Sequence, residues 1–364
     1  LDAVAKGSLD GVLAFNILHL VPNRREVLRA ILERLRPGGL FASSTVCLGD
    51  SWVPYRPILA VMRWLGKAPP VVIMSSAGLE AAMSAGRRGY DVVLIEATRE
   101  LGGRVAKEAL LPGLAEWRRV VDYRLAQLDR LGNVDYYFES SMSAREILAY
   151  EFNHIAVATG ARWRRDGVGV SQAGPIRFDD PTQVLTPDDL MSGIRPSGEH
   201  VVVFDDDHYY MGSAMAELLV EEDYAVTFVT PEPEVATWTH KTMEQHRIQA
   251  RLLDRGVRIV AAHTAGRVTS GGITVHCAYT GRERRIDCDA VVLVTSRLPN
   301  ESLSLDLVEL GDEWESADLV SVRTVGDAFS PGSIAAAVWD GRRFAEDLGK
   351  PEDRRMFPRN VAAL

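Results

Sequence analysis

Residues 201–212 read VVVFDDDHYYMG, and this stretch, taken with the run directly after it, decides the fold. Four apolar residues (201–204) and a tight turn lead into a helix-like run, GSAMAELLVEE (212–222), and a second apolar strand, AVTFVT (225–230). Strand, turn, helix and strand in that order open a βαβ unit of nucleotide-binding type. In the G-x-G-x-x-G pattern of such units, Asp207 and Tyr209 take the first two glycine positions and Gly212 the third. Three consecutive carboxylates, Asp205, Asp206 and Asp207, repel a pyrophosphate, and carboxylates are stabilised at a helix N-terminus by its free N–H groups. The turn is therefore expected to fill its own anion site and to refuse NAD(P). Metal binding by these three acids and His208 is the alternative, but consecutive residues point in different directions.

A similar unit lies upstream. PPVVIMSSAGLEAAMSAGRRGYDVVLIEA (69–97) reads as strand, turn, helix and strand, ending on Glu96. An acid there accepts the ribose hydroxyls of an adenosine, while Ser75, Ser76, Ala77 and Gly78, at the helix start, face the pyrophosphate. Gly78 holds the third glycine position, where helix packs on strand, but Ile73 and Ser75 stand at the first two. Both carry a Cβ where the pattern needs none. This leaves open a strand–helix unit that packs without binding.

The bulk composition bounds the rest. At 364 residues, with 46% hydrophobic and 25% charged residues, the chain suits two or three globular domains, and it has no run long enough to span a membrane. A net charge of -9 argues against nucleic acid as partner. Cys47, Cys277 and Cys288 have no zinc or iron–sulfur spacing and suit a reducing, cytoplasmic setting. Cys277 and Cys288 flank a hairpin turn, TGRER (280–284), and are read as half-buried thiols that could lie opposite each other on paired strands. Trp117, Trp163 and Trp238 are read as core or interface aromatics, and His154 and His263 as structural histidines. No Ser-His-Asp or Cys-His set stands out, so the catalytic residues are left unassigned.

Residues 1–70 form a separate piece. DGVLAFNIL (10–18) reads as a buried strand, RREVLRAILERL (24–35) as a helix, RPGG (36–39) as its terminating turn and LFASSTV (40–46) as a second strand. With VLAFNILHLV and LRPGGLF, this piece resembles the rear half of a class I S-adenosylmethionine-dependent methyltransferase. It has no glycine-rich cofactor loop upstream, so S-adenosylmethionine is not expected to bind.

Three further marks come after residue 97. LGGRVAKEALLPGL (101–114) supplies Gly102, Gly103 and Arg104; HIAVATGARW (154–163) ends its strand on Thr159 and Gly160; VRTVGDAFSPGSIAAAVWDGRRFAEDL (322–348) carries Gly326 and Asp327 before a helix. In this order they resemble the flavoproteins with two dinucleotide-binding domains. That resemblance implies that Gly102 and Gly103 pass close to a flavin or its phosphates, that Arg104 supplies a positive donor, and that the ATG and GD turns mark the crossovers. Asp327 is then near a ribityl hydroxyl.

Longer stretches narrow the family. PGLAEWRRVVDYRLAQLDRL (112–131), LTPDDLM (185–191), VFDDDHYYMG (203–212), VTPEPEVATWTHKTMEQHRIQARLL (229–253) and VTSRLPN (294–300) resemble the C-terminal half of the trimethylamine and dimethylamine dehydrogenases over about residues 77–358. That family carries an N-terminal barrel with FMN and a four-iron cluster, and passes electrons to an electron-transferring flavoprotein.

The expected architecture is thus α/β, with two nested Rossmann-like dinucleotide-binding domains behind a partial methyltransferase-like segment. Its boundaries are 1–70 for that segment, 71–194 with 298–350 for an FAD- or ADP-binding domain, 195–297 for an inserted degenerate NAD(P)-type domain, and 351–364 for a tail. The expected function is the electron-transfer half of an amine dehydrogenase. A methyltransferase remnant and a non-catalytic scaffold are the alternatives.

Overall fold

A computed structural model describes residues 5–15, 29–44, 71–73 and 76–350. At the N-terminal end, β1 (Leu9–Phe15) and β2 (Leu35–Ser44) pair in parallel. The register jumps from Leu9↔Leu35 to Gly11↔Leu40. RPGG is therefore an irregular part of β2 rather than a turn ahead of it, as suits a proline that cannot donate to a ladder.

The chain then builds most of a parallel sheet: β3 (Val71–Ile73), helix α1 (Ser76–Arg87), β4 (Val92–Ile95), α2 (Gly103–Glu108), α3 (Arg118–Leu128), β5 (Val134–Tyr137), α4 (Ala144–Ala149) and β6 (His154–Val157). It leaves through β7 (Ala161–Trp163) and builds a second sheet from β8 (Val184–Leu185), α5 (Pro187–Met191), β9 (His200–Asp205), α6 (Tyr210–Glu221), β10 (Ala225–Val229), α7 (Gln245–Asp254) and β11 (Arg258–Val260). An antiparallel meander comes next, β12 (His263–Thr269), β13 (Gly272–Cys277) and β14 (Glu283–Asp287), and then β15 (Ala290–Val294). The return runs through β16 (Arg297–Pro299), α8 (Ser302–Glu309), β17 (Ser321–Thr324) and α9 (Ile334–Asp347).

Both five-stranded sheets are parallel throughout and share one layout. The first has the order β17-β6-β3-β4-β5 and the second β11-β10-β9-β15-β8. In each, the first long βαβ step runs to one side of a central strand, β3 or β9, and the chain later returns to the other side. The reversal opens a crevice at the carboxyl ends of β3 and β6 in one sheet, and of β9 and β15 in the other. β8 already pairs with β15, so the second sheet begins ahead of residue 195.

Strands buried on both faces explain the unbroken apolar runs VVVF and AVVLV. On one face of the second sheet, Val201, Val203 and Phe228 pack against α6 and α7. On the other, Val202, Phe204 and Leu293 meet Val268, Ile273 and Val275 of the meander. Each such fully buried side chain contributes about 1.5–3 kcal/mol. In the first unit, α9 lies along α1 so closely that a Cβ on Gly341 would overlap the Ala77 carbonyl. Half-buried Trp117 packs against the cores of both units, and β7 pairs antiparallel with β16, so the two connections run side by side.

Cys277 and Cys288 do not face each other. Ladder pairs run from Gly272↔Asp287 to His276↔Glu283, which puts the two free thiols at opposite ends of the hairpin. Trp163 is buried, whereas Trp238 is a surface ring covered by the Lys241 ammonium, 4.7 Å from its centroid. His154 bonds Ser321 Oγ at 2.8 Å, and His263 Nδ1 lies 2.7 Å from the Ala261 carbonyl. No helix among the described residues is long and apolar enough to cross a membrane.

Candidate nucleotide site

The first crevice collects residues from four turns, because parallel strands end on one edge. Ala77 and Gly78 start α1 after β3, Glu96 follows β4, Thr159 and Gly160 follow β6, and Gly326 and Asp327 follow β17. Ser75 lies outside the described residues, and Ser76 is the first residue of α1. Glu96 is buried; its Oε1 accepts from the Thr98 amide at 2.7 Å and the Thr98 hydroxyl at 2.8 Å. Those bonds fix the carboxylate, and Oε2 has no partner among the described residues. Gly102 has φ of 115°, and a Cβ there would come within 2.8 Å of Val121 Cγ2. Only glycine allows the loop to press onto α3 at this point.

The Thr159–Gly160 turn is stapled to the returning chain. Asn300 donates its amide to the Gly160 carbonyl at 2.9 Å and its side chain to the Thr159 carbonyl at 3.1 Å. Arg104 and Asp327 meet directly, Nη2 to Oδ2 at 2.9 Å. Arg104 also pairs with Glu108, one helical turn on. Arg297 adds a second guanidinium, with Nη1 2.7 Å from the same Asp327 Oδ2 and Nη2 donating to the Gly332 carbonyl at 2.8 Å. Asp327 Oδ1 accepts from the Gly332 amide at 2.9 Å. Asp327 is therefore engaged by protein on both oxygens, and Arg104 is turned into a buried cluster rather than displayed toward a ligand. Burial lifts the Glu108 carboxyl above its usual range, and burial with Arg104 alongside lowers Arg297. Asp207, from the second unit's loop, adds its charge near both arginines.

The second crevice is occupied by its own side chains, though not in the expected way. α6 has no side-chain cap. Instead, Asp205 Oδ1 accepts from the loop amides of Asp207, at 3.3 Å, and His208, at 3.2 Å. Asp206 turns the other way and takes the Ser171 amide and hydroxyl, at 3.0 and 2.6 Å, with His208 Nε2 at 3.2 Å. Burial pushes the Asp205 carboxyl up to about 7. Gly212 is needed where expected, since a Cβ would sit 2.5 Å from Asp205 Cγ. The Tyr209 and Tyr210 rings stand edge to face, centroids 4.4 Å apart, and Tyr210 meets Trp117 at 5.3 Å. Among the described residues no three His, Cys, Asp or Glu side chains gather as a metal site.

Sequence reasoning missed Arg297, Glu108, Ser171 and Asn300. Glu108 was legible as an i,i+4 partner of Arg104. Ser171 left no signal, because it acts on a residue 35 positions away.

Residues 185–292 match the family described as OYE-like second alpha/beta domain. Dimethylamine dehydrogenase of Hyphomicrobium sp. (strain x) is 29% identical over 320 residues, covering 80% of this chain and 43% of its own length. The structure of histamine dehydrogenase from Rhizobium sp. 4-9 superposes with a TM-score of 0.77 at 43% identity, covering 82% of this chain and 47% of that one. The structure of 6-hydroxypseudooxynicotine amine oxidase from Pseudomonas geniculata N1 gives 0.75 at 38% identity, covering 78% and 42%. The chain spans less than half the length of these relatives. It is homologous to the dimethylamine and histamine dehydrogenases, the likeness to an OYE-like second alpha/beta domain being confined to residues 185–292.

Proposed function

We propose that this chain is the nucleotide-binding, electron-transfer part of a flavin-dependent amine dehydrogenase, and that its first crevice holds FAD or ADP. Its two sheets would then be nested Rossmann-like domains, the second inserted into the first and degenerate as an NAD(P) site. The supporting observation is the convergence of Glu96, the start of α1, Gly102 and the Thr159–Gly160 turn on one sheet edge. The residues fit an adenosine diphosphate moiety. Glu96 would accept ribose hydroxyls through Oε2, and the α1 N-terminus would face the phosphates. A bound flavin would supply the electron-carrying ring. The protein's own part is to orient it and exclude water. Amine oxidation would take place in a barrel domain of FMN type, with electrons passing to an electron-transferring flavoprotein.

A non-catalytic scaffold is the second reading, favoured by the engagement of Asp327 with two arginines rather than with open space. β1 and β2 are compatible with a partial methyltransferase-like segment, and S-adenosylmethionine has no role in either reading. Calorimetry with ADP and FAD, beside an absorption spectrum of the purified protein, separates them. Saturable ADP binding weakened by Glu96→Ala supports the nucleotide site. A colourless protein that binds neither ligand refutes it.

A further inference from the structure

We infer that Arg297, on the strand that carries the chain back from the second unit, is a positioning residue for the nucleotide crevice of the first. The inference rests on the adenine-nucleotide reading of that crevice. Arg297 touches no part of the Glu96 end; it acts on the turn opposite. One arm of its guanidinium holds Asp327 Oδ2 at 2.7 Å and the other holds the Gly332 carbonyl at 2.8 Å. The Gly332 amide returns to Asp327 Oδ1 at 2.9 Å. The planar fork thus spans both ends of the 327–332 turn, which a single ammonium cannot do.

That turn governs the phosphate end of the crevice by packing. It leads into α9, whose Asp340 accepts the Gly326 amide at 2.7 Å and whose Gly341 sits against the Ala77 carbonyl in the first turn of α1. The same Asp327 oxygen holds Arg104, the residue just after the Gly102–Gly103 loop. Arg297 therefore fixes two of the walls around the α1 N-terminus through one carboxylate. Its own position is set by the second unit. The guanidinium lies over the ring of Trp163, 5.4 Å from the centroid, and that ring is embedded in the second unit's core. Orientation of the second unit and shape of the first crevice are linked through this side chain.

The test is a double-mutant cycle on ADP affinity, measured by calorimetry with circular dichroism as a fold control. Arg297→Gln and Asp327→Asn are each expected to weaken ADP about tenfold, and the double variant also about tenfold rather than about a hundredfold, because both remove the same contact. Arg297→Lys, which keeps the charge but loses the fork, is expected to fall between wild type and Arg297→Gln, and it carries the cycle if the Gln variant does not fold. Wild-type affinity in Arg297→Gln and Arg297→Lys, or fully additive losses, overturns the inference. If wild type itself fails to bind ADP, the nucleotide reading fails and this inference with it. Binding by wild type with unaltered variants removes the inference alone.

Discussion

Replacing Asp205 with Asn should remove a steep pH dependence from the stability of the second unit. Asp205 is fully buried, its Oδ1 accepts two loop amides, and its Oδ2 has no partner. Burial raises its carboxyl from the ordinary 3.8 to about 7. Between those values the native state keeps a proton that the unfolded chain has released. Stability from this group is therefore fully present below about pH 4 and is lost as pH rises toward 7. The loss is about 1.4 kcal/mol per pH unit, or about 4 kcal/mol across the window. His208, also raised in the native state, adds a loss of the same sign that begins above its unfolded value of 6.5. In Asp205→Asn the carboxyl contribution disappears, while the side-chain oxygen can still accept the two amides. The new amide NH2 is buried without a partner, which costs about 1–3 kcal/mol. At pH 8 the variant is thus expected to be more stable than wild type by about 1–3 kcal/mol, and below pH 5 to be less stable. Urea unfolding followed by circular dichroism from pH 4.5 to 8.5 measures the difference. A wild-type minus variant difference that does not change with pH, or an Asn variant less stable at pH 8, would rule out a raised Asp205 carboxyl.

Gly212→Ala places a Cβ 2.5 Å from Asp205 Cγ, and the overpacking, about 1–3 kcal/mol, should outweigh the gain of about 1 kcal/mol in helix propensity; a lower melting temperature by calorimetry checks this. Gly102→Ala combines a left-handed backbone with a clash at Val121 and should cost at least about 1 kcal/mol while weakening ADP binding. NADPH should give no saturable heat, because Asp206 and Ser171 occupy the second crevice; saturable binding that is lost when Tyr209 is changed would contradict this.

Much of this architecture is legible along the chain because it depends on local chemistry. VVVF reads as an apolar strand ahead of a turn and helix, and spacing alone places Gly212. Glu96 stands out because its distance from Gly78 matches the length of one helix and one strand. Side-chain direction is not legible in the same way. The DDD run suggests a capped helix, but consecutive carboxylates diverge: Asp205 closes its own loop, Asp206 meets Ser171, and Asp207 adds its charge near Arg104 and Arg297. Arg104 reads as a ligand donor in sequence although Glu108 stands one turn on, because its second carboxylate, Asp327, comes from a chain segment about two hundred residues away and is shared there with Arg297. Long-range pairing of charges has no period in sequence. The pairing of RPGG into β2 escapes the sequence for another reason: proline and glycine signal a turn, and the strand absorbs them only as an irregularity in its register.

The β7–β16 ribbon bears on how such a chain could be taken apart or assembled. Ala161 and Pro299 are register partners, so the points where the backbone departs for the second unit and comes back from it are one strand spacing apart, about 5 Å. Every strand of the first sheet lies outside that interval, with β3 to β6 before it and β17 after it. A gene in which residues 162–298 are replaced by a two- or three-residue linker would still encode the whole first sheet in its native order. The interval is in this sense a cassette, and the same two adjacent points offer a natural place to graft a different module without re-threading the remainder.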